Sequence, residues 1–149
     1  MGAQEASLQD LEGIIMGIEK YTSYFHDGSI LSIKHTNNKM EIAMESAEMD
    51  KEDLLESFLL SNRNTIRGIL HIDGIKNLEE DEQLYKGEYI MKSNCPEIYD
   101  FILGINQIEL QVIWTNIPAV HQTKDFSVLK IEAEKIYWEN IPDLVDPFW

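Results

Sequence analysis

His71 and Asp73 stand two apart in Thr65–Asp73, a run whose Ile66, Ile69, Leu70 and Ile72 read as a strand. Their side chains therefore leave the same face. An imidazole and a carboxylate on one face supply two of the three or four ligands that a transition metal needs. The remainder would have to come from His26, His35 or His121, whose convergence no spacing requires. The plainer reading is a polar strand edge that ends at Asp73-Gly74. His26-Asp27, just before Gly28, forms the second pair. An imidazole beside a carboxylate is the arrangement of a general base and its orienter. The same two side chains also suit the backbone groups left open where a helix ends and a sheet begins. His26, Asp27, His71 and Asp73 together carry the reading of a small metal-dependent or acid/base enzyme.

Two further sets are candidates for binding. Trp114-Thr115-Asn116-Ile117-Pro118 and Trp138-Glu139-Asn140-Ile141-Pro142 share the form Trp-x-Asn-Ile-Pro, each at a strand exit. Proline stops the strand and asparagine bonds its own backbone in the turn. If the two strands are neighbours, Trp114 and Trp138 flank one groove with the amides of Asn116 and Asn140, a surface suited to a protein or a sugar. The run Glu79-Glu80-Asp81-Glu82 reads as a solvated acidic loop tip, because four unpaired carboxylates are not tolerated inside a sheet. Catalytic signatures are otherwise missing: the chain has no Gly-x-Ser-x-Gly, no phosphate-cradling glycine loop, no His-Glu-x-x-His and no calcium loop. An enzyme is the minority reading, and no cofactor is called for.

The elements that must position these residues follow from periodicity. Ser7 caps a helix whose Leu8, Leu11, Ile14, Ile15, Ile18 and Tyr21 recur at helical spacing. After Tyr24–Gly28 the period changes to two. Ile30–Ile33, the turn Thr36–Lys39 and Met40–Glu45 form a hairpin with one apolar face. Asp50–Asp53 starts a short helix near Leu54, and Ser61–Asn64 is a loop. Strands follow at Tyr85–Lys92, Ile98–Leu103, Gln107–Thr115 and Phe126–Trp138. In the last of these, Leu129, Ile131, Ala133, Lys135 and Tyr137 share one face and Val128, Lys130, Glu132, Glu134 and Ile136 the other. Such alternation marks half-buried antiparallel strands, and the scarcity of intervening helices excludes a doubly wound nucleotide-binding sheet. The expected fold is mainly β: an antiparallel sandwich or partly open barrel of about seven strands, with an N-terminal helix and one short helix. Its expected core comprises Leu11, Ile15, Ile18, Phe25, Ile33, Ile42, Ile69, Leu110, Val112, Trp114, Leu129 and Ile131.

With 149 residues the chain reads as one domain, residues 1–6 being a disordered lead or an expression remnant. Lys and Arg number 12 against 27 Asp and Glu, a formal net charge of −15, while 44% of residues are apolar. That is too apolar for a disordered acidic chain. The charge argues against a nucleic-acid backbone or an anionic membrane as partner, and leaves a basic protein, a cation or a small neutral ligand. No stretch approaches the apolar length of a bilayer span. The single Cys95 forms no internal bridge and points to a reducing cytoplasm. Gly13 and Gly17, one helical turn apart, leave room for a close neighbour, and a homo-oligomeric structural domain without ligand is the remaining alternative.

At Tyr24-Phe25-His26-Asp27-Gly28-Ser29-Ile30-Leu31-Ser32-Ile33, leading into Met40–Glu45, the sequence resembles small bacterial domains that open with Phe-His-Asp and a β-hairpin. Some of those families are similar to immunity proteins of polymorphic toxin systems. The resemblance covers about 20 residues of the chain and brings no catalytic residues with it. It implies a cytoplasmic one-domain protein that binds and blocks a toxin domain. An acidic inhibitor associates faster with a basic toxin.

Overall fold

From Ser29 onward the two-residue period builds seven antiparallel strands in one sheet: β1 (Ser29–Thr36), β2 (Lys39–Glu45), β3 (Arg67–Glu80), β4 (Gln83–Leu84), β5 (Glu97–Gly104), β6 (Gln107–Trp114) and β7 (Asp125–Asn140). The structure is a computed structural model that describes residues 18–54, 59–94, 96–115 and 125–145. Strand order is β2-β1-β5-β6-β7-β3-β4, and β2 pairs with β3 as well. The pairings therefore return on themselves, with β4 appended to the end of β3. At one joint the ladder is short: β1 meets β5 only at Ser29↔Glu97, helped by Ile98 N–H donating to the Gly28 carbonyl at 2.8 Å.

The hairpin turns use residues that tolerate a left-handed backbone. Asn37 and Asn106 both lie at φ 56° in two-residue connections, β1 to β2 and β5 to β6. The turn from β3 to β4 uses Asp81 (φ 54°) and Glu82 (φ 68°), which are exposed, and it corrects the expectation of a solvated acidic loop tip for Glu79 and Glu80 alone. Glu79 and Glu80 are the last residues of β3 and are half-buried. Asp81 continues the ladder by exchanging hydrogen bonds with Val128, its N–H donating at 3.0 Å and its Oδ1 accepting at 2.9 Å. The Glu80 carboxylate accepts from the Tyr89 hydroxyl at 2.6 Å and lies 3.6 Å from Lys92 Nζ. Partners are what let carboxylates enter the sheet here.

Asp73-Gly74 does not end its strand, as expected from sequence; β3 runs through it to Glu80. Gly74 sits at φ 68°, and a Cβ there would come within 2.9 Å of the Glu134 side chain. Opposite this kink β7 changes phase. Leu129, Ile131 and Ala133 are buried, then Ile136 and Trp138, so Lys135 and Tyr137 face outward and not inward as unbroken alternation predicted. The register itself is kept across Gly74 and shifts between Ile75 and Asn77. Bulges of this kind bend long strands and reset which face their side chains use.

Tyr85–Lys92, expected as a strand, is irregular. Tyr89 is buried there, its ring 4.8 Å from Tyr85 and 6.5 Å from Trp114. Ile18 and Glu19 are helical, whereas Ser7–Gly17 of the expected N-terminal helix lie outside the described residues. A 3-10 helix, Thr22–Phe25, follows and leads into the sheet. A second covers Lys51–Asp53, where Asp50 caps the Glu52 N–H at 3.2 Å; residues 55–58 of the helix expected there are outside the described set.

Ile18, Phe25, Met40, Ile42, Leu70, Ile98, Phe101, Leu110, Val112 and Trp138 build the core. Phe25 meets Phe101 and Trp138 edge-on, with ring centroids 5.3 and 5.8 Å away. Each such burial contributes about 1.5–3 kcal/mol. Of the expected core, Ile33 is half-buried against this cluster, Ile69 sits on the outer face, and Leu11 and Ile15 are outside the described residues.

Candidate protein-binding surface

His71 and Asp73 do share the outer face of β3. His71 occupies the row between Glu41 on β2 and Tyr137 on β7. Its Nε2 lies 2.8 Å from Glu139 Oε1, and its ring stacks on Tyr137 at 4.6 Å. Nδ1 is buried without a hydrogen bond, 3.7 Å from Glu41 Oε1. Lys135 Nζ lies 5.0 Å over the Tyr137 ring. Burial, with the charges of Asp73, Glu139 and Glu41, raises the Tyr137 pKa above its ordinary value. The other histidines do not join this site: His35 Nδ1 accepts from Tyr89 N–H at 2.7 Å, His26 is on another face, and His121 is outside the described residues. Among the described residues no three His, Cys, Asp or Glu side chains are placed to hold a metal ion.

The two tryptophans do not flank a groove. Their strands are neighbours, but antiparallel ones, so the two exits fall at opposite ends: Trp114 faces Asp125 at the start of β7, and Trp138 lies near its finish. Both indoles are buried. Trp114 Nε1 donates to Ser127 Oγ at 2.8 Å and Trp138 Nε1 to Asn140 Oδ1 at 3.2 Å. The Asn140 amide in turn donates to the Leu59 carbonyl at 2.9 Å. Asn116 is outside the described residues.

Glu45, at the end of β2, gathers a cluster that the spacing of the sequence did not reveal. Its Oε2 accepts from Arg67 Nη1 at 2.8 Å and Thr65 Oγ1 at 2.9 Å, and Arg63 Nη2 reaches Oε1 at 2.8 Å. Arg67 Nε also donates to the Leu144 carbonyl at 2.7 Å. Burial acts to raise the Glu45 pKa, but the bonds from Arg67 and Thr65 and the two guanidinium charges outweigh it and hold the carboxyl below its ordinary value. A cleft of about 400 Å³ opens beside this cluster, lined by Ser61, Asn62, Arg63 and Asp143 among others. The buried carboxylate and the buried guanidinium satisfy one another, so the cluster works as a clasp between loop, sheet and C-terminal segment.

A third grouping lies on the outer face of β5 to β7. The corner His26-Asp27-Gly28 is tight: Asp27 has φ 67° and its N–H donates to the Ile98 carbonyl at 2.9 Å. A Cβ on Gly28 would sit 2.3 Å from the Glu45 carbonyl oxygen. This corner lays the His26 ring against β5, where Nδ1 hydrogen-bonds the Tyr99 carbonyl. Tyr99 falls at a register shift between Ile98 and Asp100, which turns it outward. His26 meets the Tyr99 ring edge-on at 5.3 Å, and Tyr99 meets Phe126 of β7 edge-on at 5.8 Å. Tyr99 and Phe126 are 48% and 45% exposed.

Three carboxylates lie at the His26–Tyr99 end of this row. Asp27 Oδ1 is 3.7 Å from His26 Nε2. The Tyr99 carbonyl, then the charges of Asp27, Asp100 and Glu97, raise the His26 pKa above its ordinary value despite partial desolvation. Among the described residues Asp27, Glu97 and Asp100 have no lysine or arginine partner, whereas Glu45, Glu80, Glu109 and Asp125 each have one. Of the acidic residues singled out from sequence, Asp27 belongs to this surface; Glu79–Glu82 lie at the β3–β4 turn. Tyr99 and Phe126 were missed because each sits among residues of ordinary strand composition.

Compared with protein-family models, curated proteins and solved structures, the chain matches none.

Proposed function

We propose that this is a non-enzymatic acidic binding protein of the immunity or inhibitor type, engaging a basic protein partner through the outer face of β5 to β7. The observation that carries the reading is the exposed row His26–Tyr99–Phe126, with Asp27, Glu97 and Asp100, none of them paired with a lysine or arginine among the described residues, at its His26–Tyr99 end. Aromatic side chains are enriched at the centres of protein interfaces, and charge at their rims sets association rate and partner choice. The formal charge of −15 acts in the same direction. The strand pairings, with their one-pair seam at Ser29↔Glu97, favour a partly open barrel over a sandwich as the platform. Acid/base chemistry by His26 and Asp27 is disfavoured by their setting: side chains 52% and 68% exposed lack the enclosure that keeps water from a reacting centre.

The test is retention of a protein from native extract by immobilised wild type and by a Tyr99→Ala/Phe126→Ala double variant. The expected outcome is a basic protein held by wild type, lost by the double variant, and associating more slowly as salt rises. A tight partner whose association ignores ionic strength would remove the electrostatic part of the proposal.

A further inference from the structure

We infer that the Tyr99–Phe126 pair is the seat of an arginine side chain of the partner. This rests on the reading of the protein as a binder of a basic protein, and adds which basic group is recognised and where.

Three observations lead there. The Tyr99 ring is half-exposed and held from two sides, by the His26 ring on one and by Phe126 on the other. A ring braced in this way presents its remaining surface without loss of much side-chain freedom on binding. Next, the carboxylates of Glu97 and Asp100 flank Tyr99 along β5, and Asp27 lies beyond the His26 ring; none of the three has a lysine or arginine partner among the described residues. Carboxylates without a lysine or arginine beside a half-exposed ring attract a cation that can use both. Finally, the protein builds the filled version of this arrangement elsewhere on its own sheet. Lys135 Nζ lies 5.0 Å over the Tyr137 ring, and the carboxylates that act on that tyrosine are Asp73, Glu139 and Glu41. At Tyr137 the chain supplies the cation; at Tyr99 the ring and acids are present and the partner supplies it.

Arginine fits this seat better than lysine. A guanidinium is planar and weakly hydrated, so it stacks on a ring while its edge donates two parallel hydrogen bonds to a carboxylate. An ammonium keeps more of its water and offers no flat face. Phe126, half-exposed beside Tyr99, provides apolar surface along which the arginine stem lies.

The experiment compares hexa-arginine with hexalysine, peptides of equal charge, by titration calorimetry against wild type, Tyr99→Leu and Tyr99→Phe. Ring resonances of Tyr99 and Phe126 are followed by NMR in the same titrations. Hexa-arginine is expected to bind about fivefold more tightly than hexalysine and to shift both sets of ring resonances. Tyr99→Leu is expected to abolish the difference, and Tyr99→Phe to keep it. If both peptides bind wild type equally and Tyr99→Leu changes nothing, the arginine seat is overturned while the preference for a basic partner stands. If neither peptide binds at low salt, both fall together.

Discussion

Arg67 and Glu45 occupy facing positions of β3 and β2, and the guanidinium Nη1 lies 2.8 Å from the carboxylate Oε2. Both side chains are about nine-tenths buried, whereas Arg63, the second cation on Glu45, is 65% exposed. Removing a partner from a buried pair strands the other charge, so Arg67→Ala is expected to cost about 3–5 kcal/mol. Arg63→Ala, which removes a solvent-screened cation, is expected to cost less than about 1 kcal/mol. Urea unfolding of the two variants reads the difference directly, and equal losses would show that the clasp is not centred on Arg67.

The same carboxylate makes stability depend on pH. Glu45 titrates below its ordinary value of 4.5 in the folded chain, so the unfolded chain takes up its proton first as pH falls. The stabilisation is therefore complete above the unfolded-state value and is lost as pH drops through the lower folded one. Unfolding free energies of wild type and Glu45→Gln, measured from neutral pH downward, are expected to converge in acid. Curves that stay parallel there would assign the acid sensitivity to other carboxylates.

His26 has the opposite sign. Its folded pKa lies above 6.5, so whatever stabilisation its proton brings is present below 6.5 and disappears as pH rises through the folded value. NMR titration of the His26 ring is expected to give a midpoint above 6.5. In Asp27→Asn the midpoint falls but stays raised, since the Tyr99 carbonyl is the larger cause. A midpoint at or below 6.5 in wild type would mean that the ring does not rest on Tyr99 in solution.

Gly68 and Gly74 predict a contrast along one strand. A Cβ at Gly68 would lie 2.1 Å from the Glu139 carbonyl oxygen, a backbone atom that cannot swing aside. At Gly74 the obstacle is the Glu134 side chain, and the cost is mainly that of φ 68° for a residue with a Cβ. Gly74→Ala is expected to lose about 1–2 kcal/mol. Gly68→Ala is expected to lose more, with the β3–β7 ladder forced apart. Thermal unfolding followed by circular dichroism orders the two, and the reverse order would contradict the close packing at Gly68.

Local alternation and turn chemistry made much of the sheet readable in advance. Met40, Ile42 and Met44 against Glu41 and Glu45, and Ile108, Leu110 and Val112 against Glu109 and Gln111, set antiparallel strands whose inner faces are where the pattern puts them. Asn37 and Asn106 mark their turns for the reason that asparagine accepts a left-handed backbone. The pattern failed where β7 changes face opposite the left-handed Gly74. There the buried positions pass from Ala133 to Ile136 and Trp138, and no run of neighbouring residues encodes that phase change, because it is set against a strand distant in sequence.

The candidate surfaces divide in the same way. Residue types and their order along the chain determined the acidic excess, the antiparallel β character and the His26-Asp27 corner, because each depends on composition or on contacts within a few residues. Whether Glu45 finds Arg67 was decided only when β2 took its place beside β3, and whether Trp114 and Trp138 share a groove and Tyr99 reaches Phe126 only when β5, β6 and β7 lay beside one another. Those contacts depend on register between distant strands, and a shift of a single residue moves every side chain on a strand to its other face.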